Sequence, residues 1–278
     1  MQVKELTHKN KKLTYRTKGN GAAIVLLHGF GEDGTIWKNQ YDLFPAHQLI
    51  IPDLPGSGGS ELIDDMSMES LADAVKHIVD MELGSSVPEA RGWAATFIGH
   101  SMGGYIALAF AEKYPEFLNG FGLFHSTAFA DTEEKKETRR KGISFIQQHG
   151  GPEFLKTTIP NLYAPVTKEV RPELIEQQLA GVNNFSGEAL VRYYEAMMQR
   201  PDRTEVLRNS KVPVLFIMGR FDTAVPLEDM LKQCHLPKVS YIHILERSGH
   251  NGMIEEGPES NKNLSDFITT IEMSTYTG

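Results

Sequence analysis

Ile98-Gly99-His100-Ser101-Met102-Gly103-Gly104 follows the apolar run Thr96-Phe97-Ile98 and precedes the helix-type run Tyr105 to Tyr114. A sharp strand-to-helix turn strains the backbone of its central residue, so the residues two places to either side must be nearly free of side chain. Gly99 and Gly103 meet that demand, and Gly104 eases the close approach. Such a turn lifts the Ser101 hydroxyl above a sheet end, over a helix N-terminus that favours negative charge. A glycine-rich turn with a bystander serine reads the same way in isolation, so the rest of the chain must supply what a serine nucleophile needs.

Outward from this turn, strand-type and helix-type runs alternate. Val3 to Thr7 and Leu13 to Arg16 flank His8-Lys9-Asn10-Lys11 and predict a starting hairpin. Ala22 to Leu27 is a continuous apolar run, as expected for a strand buried on both faces, and Gln48 to Ile51 is another strand. Met68 to Met81 places Leu71, Ala74, Ile78 and Met81 on one helical face, and Gly120 to Phe124 is a further strand. From Asp131 to Arg203 only helical patterns follow: Thr132 to Gln148, Pro152 to Thr158, Glu169 to Ala180 and Glu188 to Gln199. Asp131 with Glu134 reads as a capping-box start. Val212 to Met218 and Val239 to Leu245 return as buried strands, and Lys262 to Met273 closes as a helix.

The pattern predicts an α/β fold: a mostly parallel sheet with helices on both faces. Residues 1–130 and 204–278 form its core, and residues 131–203 are an inserted all-helical cap over the sheet edge.

A serine hydroxyl needs a base, and the base needs an orienting carboxylate. The strand Val239 to Leu245 runs into Ser248-Gly249-His250, so His250 sits just beyond a strand end and stands out among the histidines. His243 lies within that strand and reads as structural; His47, His77, His149 and His235 read as surface residues. Asp222 ends the preceding strand, in Gly219-Arg220-Phe221-Asp222. The end of the earlier strand, Phe124-His125-Ser126, offers no carboxylate before Asp131, which favours Asp222 as the acid. His125 at that strand end is expected to fill space rather than touch substrate. The remaining need is two amides for an oxyanion. Met102, next to the nucleophile, and Phe30, in His28-Gly29-Phe30-Gly31, are the expected donors.

With 28 Lys and Arg against 36 Asp and Glu, the net charge of −8 argues against nucleic acid as a partner. The cluster Lys135-Lys136 with Arg139-Arg140-Lys141 is interleaved with Glu133, Glu134 and Glu137, and reads as a solvated helix face with Glu137 supporting Lys141. No apolar run approaches membrane-spanning length and the N-terminus has no secretory pattern, so a cytoplasmic location is expected. Cys234, the one cysteine, can form no internal disulfide. No metal or cofactor is required. Oligomeric state is not readable.

The chain resembles the α/β-hydrolase fold family over essentially its whole length. The residues that carry the resemblance are His28 to Gly31, Asp53-Leu54-Pro55-Gly56-Ser57-Gly58, the Gly99 to Gly104 turn, Pro213 to Asp222 and Ser248 to His250, with Ser101, Asp222 and His250 in the family's order. It implies a structural role for the Asp53 loop and no catalysis by Asp53. Glu255 fits a Glu found in relatives five places after the histidine, while Pro258 comes one place late.

Ser101 excludes the family's aspartate-based dehalogenases and epoxide hydrolases, and Tyr105 stands where certain lyases have Arg. The expected reaction is hydrolysis of a small or medium carboxylic ester through an acyl-enzyme. Carbon–carbon hydrolysis or cofactor-free perhydrolysis by the same triad, and slow-turnover sensing of a small molecule, are the alternatives. Of Phe145, Ile146, Phe154, Leu155, Leu162, Tyr163, Phe185, Tyr194, Met197 and Met198, most are expected to pack the inserted helices on one another and a few to face Ser101.

Overall fold

The computed structural model describes residues 1–84 and 94–275. The strands are β1 (Gln2–His8), β2 (Lys11–Lys18), β3 (Ala23–Leu27), β4 (Gln48–Pro52), β5 (Ala95–His100), β6 (Leu118–Phe124), β7 (Val214–Gly219) and β8 (Ser240–Leu245). They form one sheet in the order β1-β2-β4-β3-β5-β6-β7-β8. β1 pairs antiparallel with β2 through a hairpin whose turn residues Lys9 and Asn10 have φ of 48° and 63°, and β2 pairs antiparallel with β4. The other pairings are parallel, from β4 through β8.

Five central strands, β3 to β7, carry the almost unbroken apolar burial that helices on both faces impose. The helices α1 (Met68–Leu83) and α2 (Met102–Lys113) contribute Leu71, Val75, Ile106 and Phe110 to the apolar layer that includes Phe97 and Phe121. On the opposite face Leu264, Phe267 and Ile271 of the C-terminal helix cover Ile24, Ile98 and Leu215. β8 departs from its expected burial. It is the sheet's edge, its residues are mostly half-buried, and Ile242 is 45% exposed.

Between β6 and β7 lie α3 (Glu133–His149), α4 (Gly151–Thr158), α5 (Pro165–Val170), α6 (Pro172–Leu179), α7 (Gly187–Gln199) and α8 (Thr204–Arg208). The expected helix Glu169 to Ala180 is two, broken at Arg171 (φ −142°, ψ 51°), because Pro172 keeps its predecessor out of the helical region. The N-cap of α3 is Thr132, whose hydroxyl accepts from the Lys135 amide, and not Asp131. Asp131 is drawn instead into ion pairs with Arg139 and Arg200. Ile146, Phe154, Tyr163, Val182 and Leu190 form an apolar core among these helices themselves. After β7 come α9 (Leu227–Leu231), α10 (Gly252–Glu255) and α11 (Gly257–Thr275). No helix of the described residues is long and apolar enough to cross a membrane.

Candidate active site

Ser101 stands at the N-terminus of α2 with φ 51° and ψ −117°, a conformation that side chains rarely adopt. The crowding that imposes glycine around it is direct. A Cβ on Gly99 would strike the Gly103 carbonyl, and one on Gly103 would come within 2.5 Å of the Leu27 oxygen. The Phe30 and Met102 amides make no backbone hydrogen bond among the described residues. The loop bearing Phe30 is fixed by His28, whose Nε2 accepts from the Leu54 amide at 2.9 Å. Asp53 is buried and accepts from the amides of Gly34 (2.9 Å) and Gly59 (3.0 Å) and from Arg16, which holds the adjacent loop.

Three sequence-distant segments meet at one carboxylate. Asp222, just past β7, is buried and accepts four hydrogen bonds. Its Oδ1 takes the amides of Ala224 and Val225, each at 2.9 Å. Its Oδ2 takes His250 Nδ1 at 2.8 Å and His125 Nδ1 at 3.1 Å. Burial alone would raise the carboxyl, but the two imidazoles outweigh it and hold Asp222 far below the usual carboxylate range. With Nδ1–H donated to Asp222, neutral His250 leaves Nε2 as an acceptor. His250 and Ser101 line one cavity of about 460 Å³, together with Phe30, Leu155, Leu162 and Met197. Ser101 Oγ closes no hydrogen bond among the described residues, and resting sites of this kind often tighten only around substrate.

Residues 24–260 match the alpha/beta hydrolase family. The chain belongs to that family. Among curated relatives it is 27% identical to the 2-hydroxy-6-oxo-6-phenylhexa-2,4-dienoate hydrolase of Comamonas testosteroni, over 91% of this chain and 90% of that one. It is 30% identical to a 2-hydroxy-6-oxononadienedioate/2-hydroxy-6-oxononatrienedioate hydrolase of Paraburkholderia phymatum, over 92% of this chain and 91% of that one. Among solved structures it is similar to a malate-bound thermophilic esterase from Thermogutta terrifontis, 28% identical with a TM-score of 0.88, covering 98% and 99% of the two chains.

Around its site this hydrolase carries histidines whose roles the sequence did not disclose. His125 does not line the cavity. It is fully buried with φ 50°, donates Nδ1–H to Asp222, and accepts the Gly252 amide at Nε2 (3.2 Å), so both nitrogens are committed to a neutral ring. His125, Asp222 and His250 bring ligand-type atoms within 4.8 Å of one another, and the atoms facing one another are engaged in these hydrogen bonds. Beneath Ser101, His100 directs Nδ1 at Glu32 (2.9 Å) and Nε2 at the His250 carbonyl (2.9 Å). Two acceptors require two N–H donors, hence an imidazolium. Burial opposes that charge, but Glu32 outweighs it and holds His100 above its ordinary value. The pair thus anchors the backbone of His250. Glu255 binds the other side of that loop: it accepts the Gly249 amide at 2.8 Å, the Ala164 amide at 2.8 Å and the Thr167 hydroxyl at 2.6 Å. The late Pro258 leaves this clamp intact.

His125 has a measurable signature. Burial pushes its imidazole down to about 4, whereas in the unfolded chain it titrates near 6.5. Between those values the unfolded state binds a proton that the folded state excludes, so stability is lost as pH falls through this window, by about 3 kcal/mol in all. His100, held above its ordinary value, contributes with the opposite sign over the same window, so the check is a comparison. Urea unfolding at pH 7 and pH 4.5 should show wild type losing about 2 kcal/mol more than His125→Asn, which should itself be less stable than wild type at pH 7.

Proposed function

We propose that the protein is a serine hydrolase of small or medium carboxylic esters, with Ser101 as nucleophile, His250 as general base and Asp222 as the orienting acid. The observation that carries this reading is the 2.8 Å contact of His250 Nδ1 with Asp222, which leaves Nε2 free in the cavity where Ser101 is presented at a strained helix start. His250 takes the Ser101 proton as Oγ attacks the ester carbonyl. The amides of Phe30 and Met102 receive the oxyanion. The imidazolium then returns the proton to the leaving alcohol, and water activated by His250 cleaves the acyl-enzyme. We read residues 131–203 as the cap: Leu155, Leu162, Tyr194 and Met197, all from that segment, line the cavity, and the His250 amide donates to the Leu162 carbonyl at 2.6 Å.

Carbon–carbon hydrolysis is the second reading, favoured by the two dienoate and dienedioate hydrolases among the relatives. Purified protein with 4-nitrophenyl acetate and butyrate, and separately with a vinylogous 1,5-diketone acid, separates the readings. Sustained ester turnover supports the esterase. Inertness to esters with cleavage of the diketone supports the second reading. A single burst without turnover overturns both and indicates a sensor.

A further inference from the structure

The cavity wall that lies along α2 and α3 is not apolar. Asp131, Lys135 and Arg139 recur every fourth residue, so they share one face of the chain entering and forming α3. The expected solvated face exists one step around: Lys136 pairs with Glu133 at 2.8 Å and Arg140 with Glu137 at 3.1 Å, so Glu137 serves Arg140 and not Lys141. Lys135 and Arg139 are half-buried and line the cavity that holds Ser101 and His250. The basic cluster is therefore divided between water and the active site.

The charges on the inner face do not cancel. Arg139 contacts Asp131 at 2.6 Å, and Arg200 contacts the same carboxylate at 2.9 Å. Lys135 donates to the Ala224 carbonyl at 2.8 Å and has no carboxylate within ion-pair distance among the described residues. Three cations thus share one anion. Of the carboxylates on the cavity lining, Glu32 is engaged by His100, Asp229 pairs with Lys232 at 3.0 Å, and Glu134 is exposed at the rim, where water screens it.

Tyr105 points to what this charge is for. It is 3% exposed, it lines the cavity, and its hydroxyl has no hydrogen-bond partner among the described residues. The Arg200 guanidinium lies 3.8 Å over its ring. Burial would raise the phenol, but Arg200, Lys135 and Arg139 together pull it below its ordinary value. The Tyr105 hydroxyl therefore offers a donor to the cavity beside cations in excess, a setting in which an anion is the favoured acceptor.

We infer that Tyr105, Lys135 and Arg139 form a carboxylate-binding subsite, and that the substrate is an ester whose acyl chain ends in a carboxylate. This deepens the esterase reading and rests on it for the reaction, though not for the binding. Tyr105 follows Ser101 by one turn of α2, a rise of about 6 Å. Tyr105, Lys135 and Arg139 share the cavity with Ser101, so a dicarboxylic half-ester of medium chain length is the substrate form to test.

The test compares mono-4-nitrophenyl adipate with 4-nitrophenyl hexanoate, which has the same chain length without the charge. At low salt the wild-type kcat/KM should favour the adipate ester by about tenfold or more. That ratio should fall about tenfold in Lys135→Met and survive in Lys135→Arg. A wild-type preference for hexanoate that Lys135→Met leaves unchanged overturns the subsite. If neither of these esters nor 4-nitrophenyl acetate or butyrate turns over, the esterase reading fails and binding decides separately. Adipate titrated calorimetrically into full-length Ser101→Ala should bind, and more weakly when Lys135→Met is added. Absence of binding at millimolar adipate overturns the subsite.

Discussion

Ser101→Ala should reduce turnover of 4-nitrophenyl butyrate by about six orders of magnitude, the scale on which a serine nucleophile acts with its base as one unit. The physical content lies in what the substitution leaves behind. The free amides of Phe30 and Met102, the cavity and the His250–Asp222 pair remain, so a residual acceleration of about a thousandfold over water is expected. Alanine meets the same strain at φ 51° that serine does, and Ser101 Oγ has no hydrogen bond among the described residues to lose. Stability should therefore change by less than about 0.5 kcal/mol. Steady-state kinetics and urea unfolding, with covalent labelling by a fluorophosphonate, check all three parts. A variant that keeps a hundredth of the activity, or a wild type that the reagent leaves unmodified at Ser101, removes the serine from the mechanism.

The sheet and the Ser101 turn were legible because they are governed by local rules. Parallel strands buried on both faces read as unbroken apolar runs, and a turn that admits no Cβ at Gly99 or Gly103 writes its glycines into the sequence. The positions of Asp222 and His250 were legible for a related reason: both follow strand ends on the same side of a parallel sheet. The second layer was not legible. His125 reads as a spacer because nothing in Phe124-His125-Ser126 tells that its Nδ1 faces an aspartate 97 positions away. The inward turn of Lys135 and Arg139 was obscured by their neighbours: glutamates at short spacing satisfy Lys136 and Arg140, and the same composition describes a fully solvated helix. The signal that was available is the Asp131-Lys135-Arg139 spacing, which places an acid and two bases on one face and so asks what that face meets.

Asp222→Asn should lower kcat for the same ester by about ten-thousandfold, through the tautomer of the base rather than its position. In the native site Oδ1 is held by two backbone amides and Oδ2 by two imidazole N–H groups, so every contact of this side chain is one it accepts. A carboxamide has one oxygen. The fixed amides of Ala224 and Val225 claim it, and the NH2 group then faces both imidazoles. His250 must present a bare Nδ1 to that group, which moves its proton to Nε2 and leaves no lone pair to accept the Ser101 proton. His125 meets the same demand, but its Nε2 already accepts the Gly252 amide, so shifting its proton there sets donor against donor. The substitution should therefore also cost about 1–3 kcal/mol of stability, the penalty of an unsatisfied buried polar group. This second loss belongs to the His125 contact and separates the site from one in which the acid has a single imidazole partner. Kinetics together with urea unfolding at pH 7 read both effects. A variant retaining a tenth of wild-type kcat would remove Asp222 from the acid's role. One that loses activity but not stability would show that His125 contributes nothing through this hydrogen bond.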